Sequence, residues 1–282
     1  MRDTEESGRP RARLLVEKIA SNRVTRWAYS LCRRVPILNR VLHSCINEVL
    51  PTGRRIWLQV PRGCGKGLWV LADPRFDPDY LTGEHEAWVQ DLLKERLKPG
   101  ECFYDVGAHI GFLSLIAARL VGPRGSVWAF EPDDVNLAVF RANSDRNEIS
   151  NLNMIAAAVW EFSGELAFAR GAQASSRMEG RIVDQADGQS DVVTVTVVSL
   201  DDFVLENMRR PPNFLKIDVE RGEFQVLSGA AQVLKQFQPL LLCEVHDLTL
   251  IAKLRRFLTG MGYVTEEHPR GGKSYLWAEP RH

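Results

Sequence analysis

From Cys102 onward, short apolar runs alternate with longer stretches of helical period. The runs CFYDV, SVWAF, NMIAAAV, FLKIDV and LLLCEV have the length and side chains of strands. Between most of them lie FLSLIAARL, DVNLAVFRANSDRN and EFQVLSGAAQVLKQF, which read as helices. Two last strands, GYVTEEH and SYLWAE, flank PRGGK and form a terminal hairpin. The pattern predicts an α/β fold: a mostly parallel seven-stranded sheet, helices on both faces, and a C-terminal antiparallel hairpin.

Upstream the pattern differs. RIWLQVPRGCGKGLWVLAD, residues 55–73, reads as two strands around a glycine-rich turn. GEHEAWVQDLLKERLKPG reads as a helix with Glu84 and Glu86 in its first turn. Lys94, Arg96 and Lys98 stand near its end, and Pro99-Gly100 stop it. Residues 11–50 look helical, with Val24, Trp27, Ala28, Leu31 and Val35 at three- and four-residue steps and a break at Pro36. Residues 1–10 are polar and expected to be disordered. The expected organisation is a basic helical extension over 1–50, a β-hairpin lead-in over 51–82 and the main domain over 83–282.

Composition narrows the class. The chain has 282 residues, 45% hydrophobic, and a formal net charge of zero. It can bury a large core, and no global field favours nucleic acid. Nine Arg or Lys and one acid, Glu17, fall within residues 9–45. Beside Arg23, Arg26, Arg33 and Arg34 runs the apolar stripe of Trp27, Leu31 and Val35. Such a segment either packs its stripe on the main domain or lies on an anionic membrane surface. Five scattered cysteines without a C-x-x-C pair suit reduced thiols. With no signal-peptide pattern and no apolar run of ~20 residues, the expected location is cytoplasmic, with peripheral contact at the inner face of the membrane as the second option. Oligomeric state is not legible.

The candidate chemistry starts at YDVGAHIGF, residues 104–112. Gly107 and Gly111 bracket a turn from strand to helix, where backbone N–H groups and the helix dipole face a ligand and glycine permits close approach. Glu131, in FEPD at the end of the next strand, lies 131 − 107 = 24 residues on. That is where an acid meets ribose hydroxyls in nucleotide-binding βαβ units. The spacing is D-x-G-x-x-x-G, opened by Asp105, and not G-x-G-x-x-G. It supplies no pyrophosphate cradle, which disfavours an NAD-dependent oxidoreductase and suits S-adenosylmethionine, a nucleoside without phosphates. GCGKG at 63–67 resembles a phosphate loop but has Gly67 where a magnesium-binding Ser or Thr belongs; a hairpin turn is expected.

DVGAHIGF, FEPD, SLDDF, LKIDVERGEFQVLSGA and CEVH, in this order, resemble the FkbM family of S-adenosylmethionine-dependent methyltransferases. The upstream YLTGEHE and LKPGECFYDVGAHIGF are similar to that family's lead-in, so the resemblance covers roughly residues 80 to 250. It implies a Rossmann-like methyltransferase fold, S-adenosylmethionine as cofactor, and methylation of hydroxyls on glycans or natural products. The family's usual DVEGAE is DVERGE here, which puts Arg221 at the usual glycine, next to the expected acceptor site. Members carry a small polar residue or His at the position of His109, so a packing or hydrogen-bonding role beside the ligand is expected for it. A non-catalytic domain that binds S-adenosylmethionine or a partner remains as an alternative.

The strand ends should gather a second group of residues. Asp105, Glu131, Asp218 and Glu244 are expected along the carboxyl edge of the sheet, where ligands bind in open parallel sheets. Lys216 and Asp218 share one side of their strand. Methyl transfer to a hydroxyl requires alignment of the acceptor and removal of its proton; Asp218, Glu220, His246 and Lys216 are the candidates. The cofactor pocket is expected from Asp105, Gly107, Ala108, His109, Gly111, Glu131, Pro132, Val159 and Asp218. Val159 and its neighbour Trp160 would border the adenine or belong to the core. Glu223 reads as a helix N-terminal acid. Acids plus a histidine could hold a cation, but there is no H-x-x-x-H or D-x-D-x-D spacing, and no metal is expected.

Overall fold

The computed structural model describes residues 55–74, 77–171, 180–183 and 191–281. The helices expected within 11–50 and the basic segment 9–45 lie outside the described residues. The chain groups into two units, Met1–Leu92 with Gln173–Arg177, and Leu93–Ala172 with Met178–His282.

In the first unit, β1 (Ile56–Gln59) and β2 (Trp69–Ala72) pair antiparallel. A single turn, α1 (Asp79–Thr82), follows, and then α2 (Ala87–Arg96), which runs on past the unit boundary. The glycine-rich turn is a structural turn. Gln90 accepts from Gly65 N–H at 3.3 Å and from the Cys64 thiol at 3.3 Å through its carbonyl. A side chain at Gly63 would strike the Gln90 amide. Helix α2 starts at Ala87, so the acids at 84 and 86 precede its first turn, because Glu86 adopts a left-handed φ of 47°.

The second unit begins with β3 (Cys102–Val106), α3 (Phe112–Val121), β4 (Ser126–Phe130), α4 (Asp134–Arg146) and β5 (Leu152–Ile155). A smaller group follows: β6 (Ala158–Val159), β7 (Gly164–Ala169), β8 (Arg181–Ile182) and β9 (Val192–Val198). The main sheet then resumes with β10 (Phe214–Ile217), α5 (Glu223–Ser228), α6 (Ala231–Phe237), β11 (Leu240–Val245), α7 (Ile251–Gly260), β12 (Tyr263–Arg270) and β13 (Lys273–Pro280).

The main sheet has seven strands in the order β12-β13-β11-β10-β3-β4-β5. Its five strands β11, β10, β3, β4 and β5 run parallel, and the hairpin β12–β13 adds antiparallel to β11. From β3 the chain builds outward through β4 and β5, then crosses back to lay β10 on the other side of β3. This reversal opens the crevice at which α/β sheets bind ligands, beyond the carboxyl ends of β3 and β10. β3 is buried along its whole length, as a central parallel strand covered on both faces must be. On one face Tyr104, Val106, Leu215, Ile217, Leu241 and Cys243 join Val226, Leu234, Leu254 and Leu258 in a continuous core.

Three departures from the sequence pattern are local. NMIAAAV splits: Leu152–Ile155 pairs with β4, whereas Ala158–Val159 pairs with β9 in a separate four-stranded sheet, β6-β9-β7-β8. EFQVLSGAAQVLKQF splits at Gly229, where a side chain would meet the Trp160 carbonyl, so backbone packing ends α5. The third departure is α7, whose Leu254 and Leu258 enter the core.

The register of β10 on β3 sets Lys216 beside Asp105. Lys216 is 4% exposed and Asp105 1% exposed. The ammonium lies 3.3 Å from Asp105 and 3.1 Å from Asp218, and the Ser114 hydroxyl donates to the other Asp105 oxygen at 2.5 Å. Removing one partner of a buried ion pair leaves an uncompensated charge and costs about 3–5 kcal/mol. Lys216→Met should therefore lower the unfolding free energy by that order in urea titrations, and Lys216→Arg by less. Wild-type stability in Lys216→Met would show that water reaches this pair.

Candidate active site

Two groups of residues meet at the sheet reversal. The first is the turn from β3 to α3. Gly107 has φ 80°, His109 φ 53° and Gly111 φ 82°, a conformation that favours glycine and tolerates a histidine. Both glycines answer to the protein's own packing. A Cβ on Gly107 would lie 1.8 Å from the Asp218 carbonyl oxygen, and one on Gly111 would fall 2.0 Å from the Phe140 ring. The N–H groups are engaged as well. Gly107 and Ala108 donate to the Phe130 carbonyl at 3.1 and 3.0 Å, Gly111 donates to Ala108, and His109 donates to Glu131 at 2.8 Å. A phosphate at a helix N-terminus needs such groups free; here these four are spent, which argues against a dinucleotide.

Glu131 follows β4 and is 5% exposed. Its carboxylate accepts from His109 N–H, from Asp133 N–H at 3.0 Å and from Asn136 Nδ2 at 3.2 Å. Burial pushes its carboxyl up to about 7, against the lowering effect of these three donors. A carboxylate takes about four hydrogen bonds, so Glu131 keeps capacity for a hydroxyl donor from a ligand. Pro132 is half-buried and Ala108 is buried next to Ala129 and Phe140. Val159 is buried in the main core, and Trp160 covers Gly222.

The second group lies beyond β10 and β11. Asp218 is half-buried and bonds Lys216. His246 follows β11. Its backbone N–H and Nδ1 both meet Glu223 Oε1, at 2.8 and 3.1 Å. Its Nε2 lies 3.4 Å from Glu220, 3.4 Å from Glu244 and 3.7 Å from Asp218. Glu244 also pairs with Lys273 at 2.9 Å. Burial disfavours a charged His246, but the Glu223 hydrogen bond and the fields of Asp218, Glu220 and Glu244 raise it to about 9. Burial would raise Asp218 too; the ammonium groups of Lys216 and Lys273 and the His246 ring hold it below the usual carboxylate value.

The structure thus brings Lys216, Asp218, Glu220 and His246 together, with Asp105 behind Lys216. Glu131 belongs to the turn on the other side of β3. Glu223 begins α5, as an N-terminal acid should, but it is fully buried and holds His246. Ser114, Asn136 and Lys273 escaped the sequence reading; the first two bond acids of their own strand–helix turns, and Lys273 reaches Glu244 from another strand. Arg221 is exposed at φ 62°. This is a left-handed position that favours glycine, and the arginine occupies it exposed to solvent, near Asp247.

A parallel sheet with its reversal at β3/β10, a glycine turn without free phosphate donors, and a buried acid after β4 define the Rossmann-like class of S-adenosylmethionine-dependent methyltransferases. Residues 105–265 match the family model described as the methyltransferase FkbM domain, and the chain belongs to that family. It is 29% identical over 226 residues to the 31-O-demethyl-FK506 methyltransferase FkbM of Streptomyces tacrolimicus, covering 67% of this chain and 86% of the relative. It is 25% identical over 179 residues to the hexuronic acid methyltransferase AglP of Haloferax volcanii, covering 64% and 66%. The crystal structure of a methyltransferase FkbM from Methylobacillus flagellatus KT matches at 18% identity with a TM-score of 0.47, over 71% of this chain and 52% of that one. Among the described residues no helix is long and apolar enough to cross a membrane.

Proposed function

We propose that the protein transfers a methyl group from S-adenosylmethionine to a hydroxyl of a sugar, glycan or natural-product acceptor. The observation that carries this reading is the set of Asp218, Glu220 and His246 at the sheet reversal, beside Gly107 and across β3 from Glu131. Two relatives support the acceptor class by name, one for an O-demethyl natural product and one for a hexuronic acid.

In this reading Glu131 takes the ribose hydroxyls of the cofactor, the turn at Gly107–Gly111 shapes the pocket wall, and Pro132 and Val159 stand near the base. When bound, the cofactor supplies an electrophilic sulfonium methyl. Asp218 and Glu220 align the acceptor hydroxyl and accept its proton as the new bond forms. Lys216 keeps Asp218 in place from below, and His246, held by Glu223, positions the carboxylates around it.

The pH dependence of cofactor binding tests Glu131. With its carboxyl at about 7 in the ligand-free protein, the ionised form that accepts ribose donors is scarce below that pH and complete above it. Affinity measured by calorimetry from about pH 5.5 to 8.5 should rise through neutrality and level off. Glu131→Gln should flatten this rise and weaken binding roughly tenfold to hundredfold at the alkaline end, the worth of a charge-assisted bond. A profile identical to wild type would remove Glu131 from the pocket.

Product analysis tests the chemistry. With hexoside, hexuronoside and macrolide acceptors, mass spectrometry should find one added methyl, on oxygen. Asp218→Asn should cut turnover by ~10²-fold or more while cofactor affinity stays within about threefold. Full turnover in that variant, or methylation confined to nitrogen, would sink the assignment.

A further inference from the structure

The histidine in the second cluster is surrounded in an unusual way. Four carboxylates, from Asp218, Glu220, Glu223 and Glu244, converge on one imidazole. Two ammonium groups stand nearby. Lys216 takes the Oδ2 of Asp218 and is shared with Asp105, and Lys273 takes the Oε2 of Glu244. The positive groups therefore hold the outer oxygens of Asp218 and Glu244 and leave Oδ1 and Oε1 facing His246 Nε2.

The imidazole is oriented as metal-binding histidines are. A carboxylate only accepts, so Nδ1 donates to Glu223 Oε1 at 3.1 Å. When a cation displaces the Nε2 proton, the lone pair it meets lies toward the three carboxylates. A carboxylate behind one ring nitrogen fixes the ring and raises the basicity of the other nitrogen in metal centres. Glu223 is fully buried, and its second oxygen, also buried, has no hydrogen-bond partner among the described residues. A buried carboxylate oxygen without a donor is a place where a further donor or an ion belongs.

The spacing also suits a cation. One ligand atom each from Asp218, Glu244 and His246 lie within 4.8 Å of one another. Nε2 is 3.4 Å from Glu244 Oε1 and 3.7 Å from Asp218 Oδ1. Donors bound to one ion at about 2.0–2.2 Å are roughly 3–3.5 Å apart, so small side-chain movements suffice. The linear sequence hides this because 246 − 218 = 28 residues separate the outer two.

We propose that Asp218, Glu244 and His246 bind a divalent cation, with Glu223 fixing the histidine and Glu220 at hand as a fourth ligand. One nitrogen and two or three carboxylate oxygens favour Mn²⁺ or Zn²⁺ over Ca²⁺. The role of the ion rests on the methyl-transfer reading above. Open coordination positions next to Gly107 would take two acceptor oxygens at once, as a vicinal diol or a hydroxy-carboxylate presents them. The ion would lower the pKa of the hydroxyl to be methylated and hold it in line.

Ion binding is measured without acceptor or cofactor, so it stands or falls apart from the choice of acceptor. Full-length protein stripped with a chelator is titrated with Mn²⁺ and followed by electron paramagnetic resonance. One ion per chain should bind with a dissociation constant in the micromolar range, and Mn²⁺ should broaden the His246 ring resonances of the wild-type protein in NMR spectra. Glu244→Gln and His246→Gln should each weaken binding at least tenfold. No saturable binding of Mn²⁺ or Zn²⁺, unbroadened His246 resonances, or wild-type affinity in both variants would overturn the proposal.

Discussion

The approach of Gly107 to the Asp218 carbonyl is the constraint on which the rest of this site depends. The two residues follow adjacent parallel strands, β3 and β10, at the point where strand order reverses. Asp218 N–H donates to the Val106 carbonyl at 2.9 Å, which extends the ladder by one bond, and Gly107, just after β3, has no room for a side chain. Because the strand ends are this close, the side chains beyond them converge. Asp218 turns to Lys216 and His246, and the turn at 107–111 is directed toward Glu131.

Charge then organises the crevice. Lys216 and Asp105 share a buried row because parallel register places them side by side, and that pair anchors Asp218. His246 is anchored from the other side by Glu223. Buried ionic groups at this density are costly unless each is paired, and their concentration at one end of the sheet marks a candidate site. Glu131 is the complementary case. Burial outweighs its three donors, and a ligand with hydroxyl donors would relieve the imbalance.

Much of this was legible in the sequence. The strand and helix alternation, the terminal hairpin and the order of FEPD, DVERGE and CEVH followed from periodicity and family resemblance. The alternating VVTVTVV of β9 and the Leu254/Leu258 spacing of α7 carried readable signals that went unread. Other features had no linear signal. Gly107 and Gly111 suggested ligand approach, whereas a carbonyl and a phenyl ring from distant segments demand them. The left-handed turn at Arg221 explains the family glycine, and only the backbone angle reveals it. Lys273 reaches Glu244 from a hairpin turn, and Glu223 reaches His246 across 246 − 223 = 23 residues; such contacts belong to the tertiary fold.

The glycine turn is fixed by the protein before any ligand arrives. Gly107→Ala tests it most directly, through the unfolding free energy of the cofactor-free protein. A methyl group driven onto a backbone oxygen, at a positive φ, should lower that free energy by about 3 kcal/mol or more. Unchanged stability, with only S-adenosylmethionine affinity lost, would contradict the account and show that the glycine serves the ligand alone.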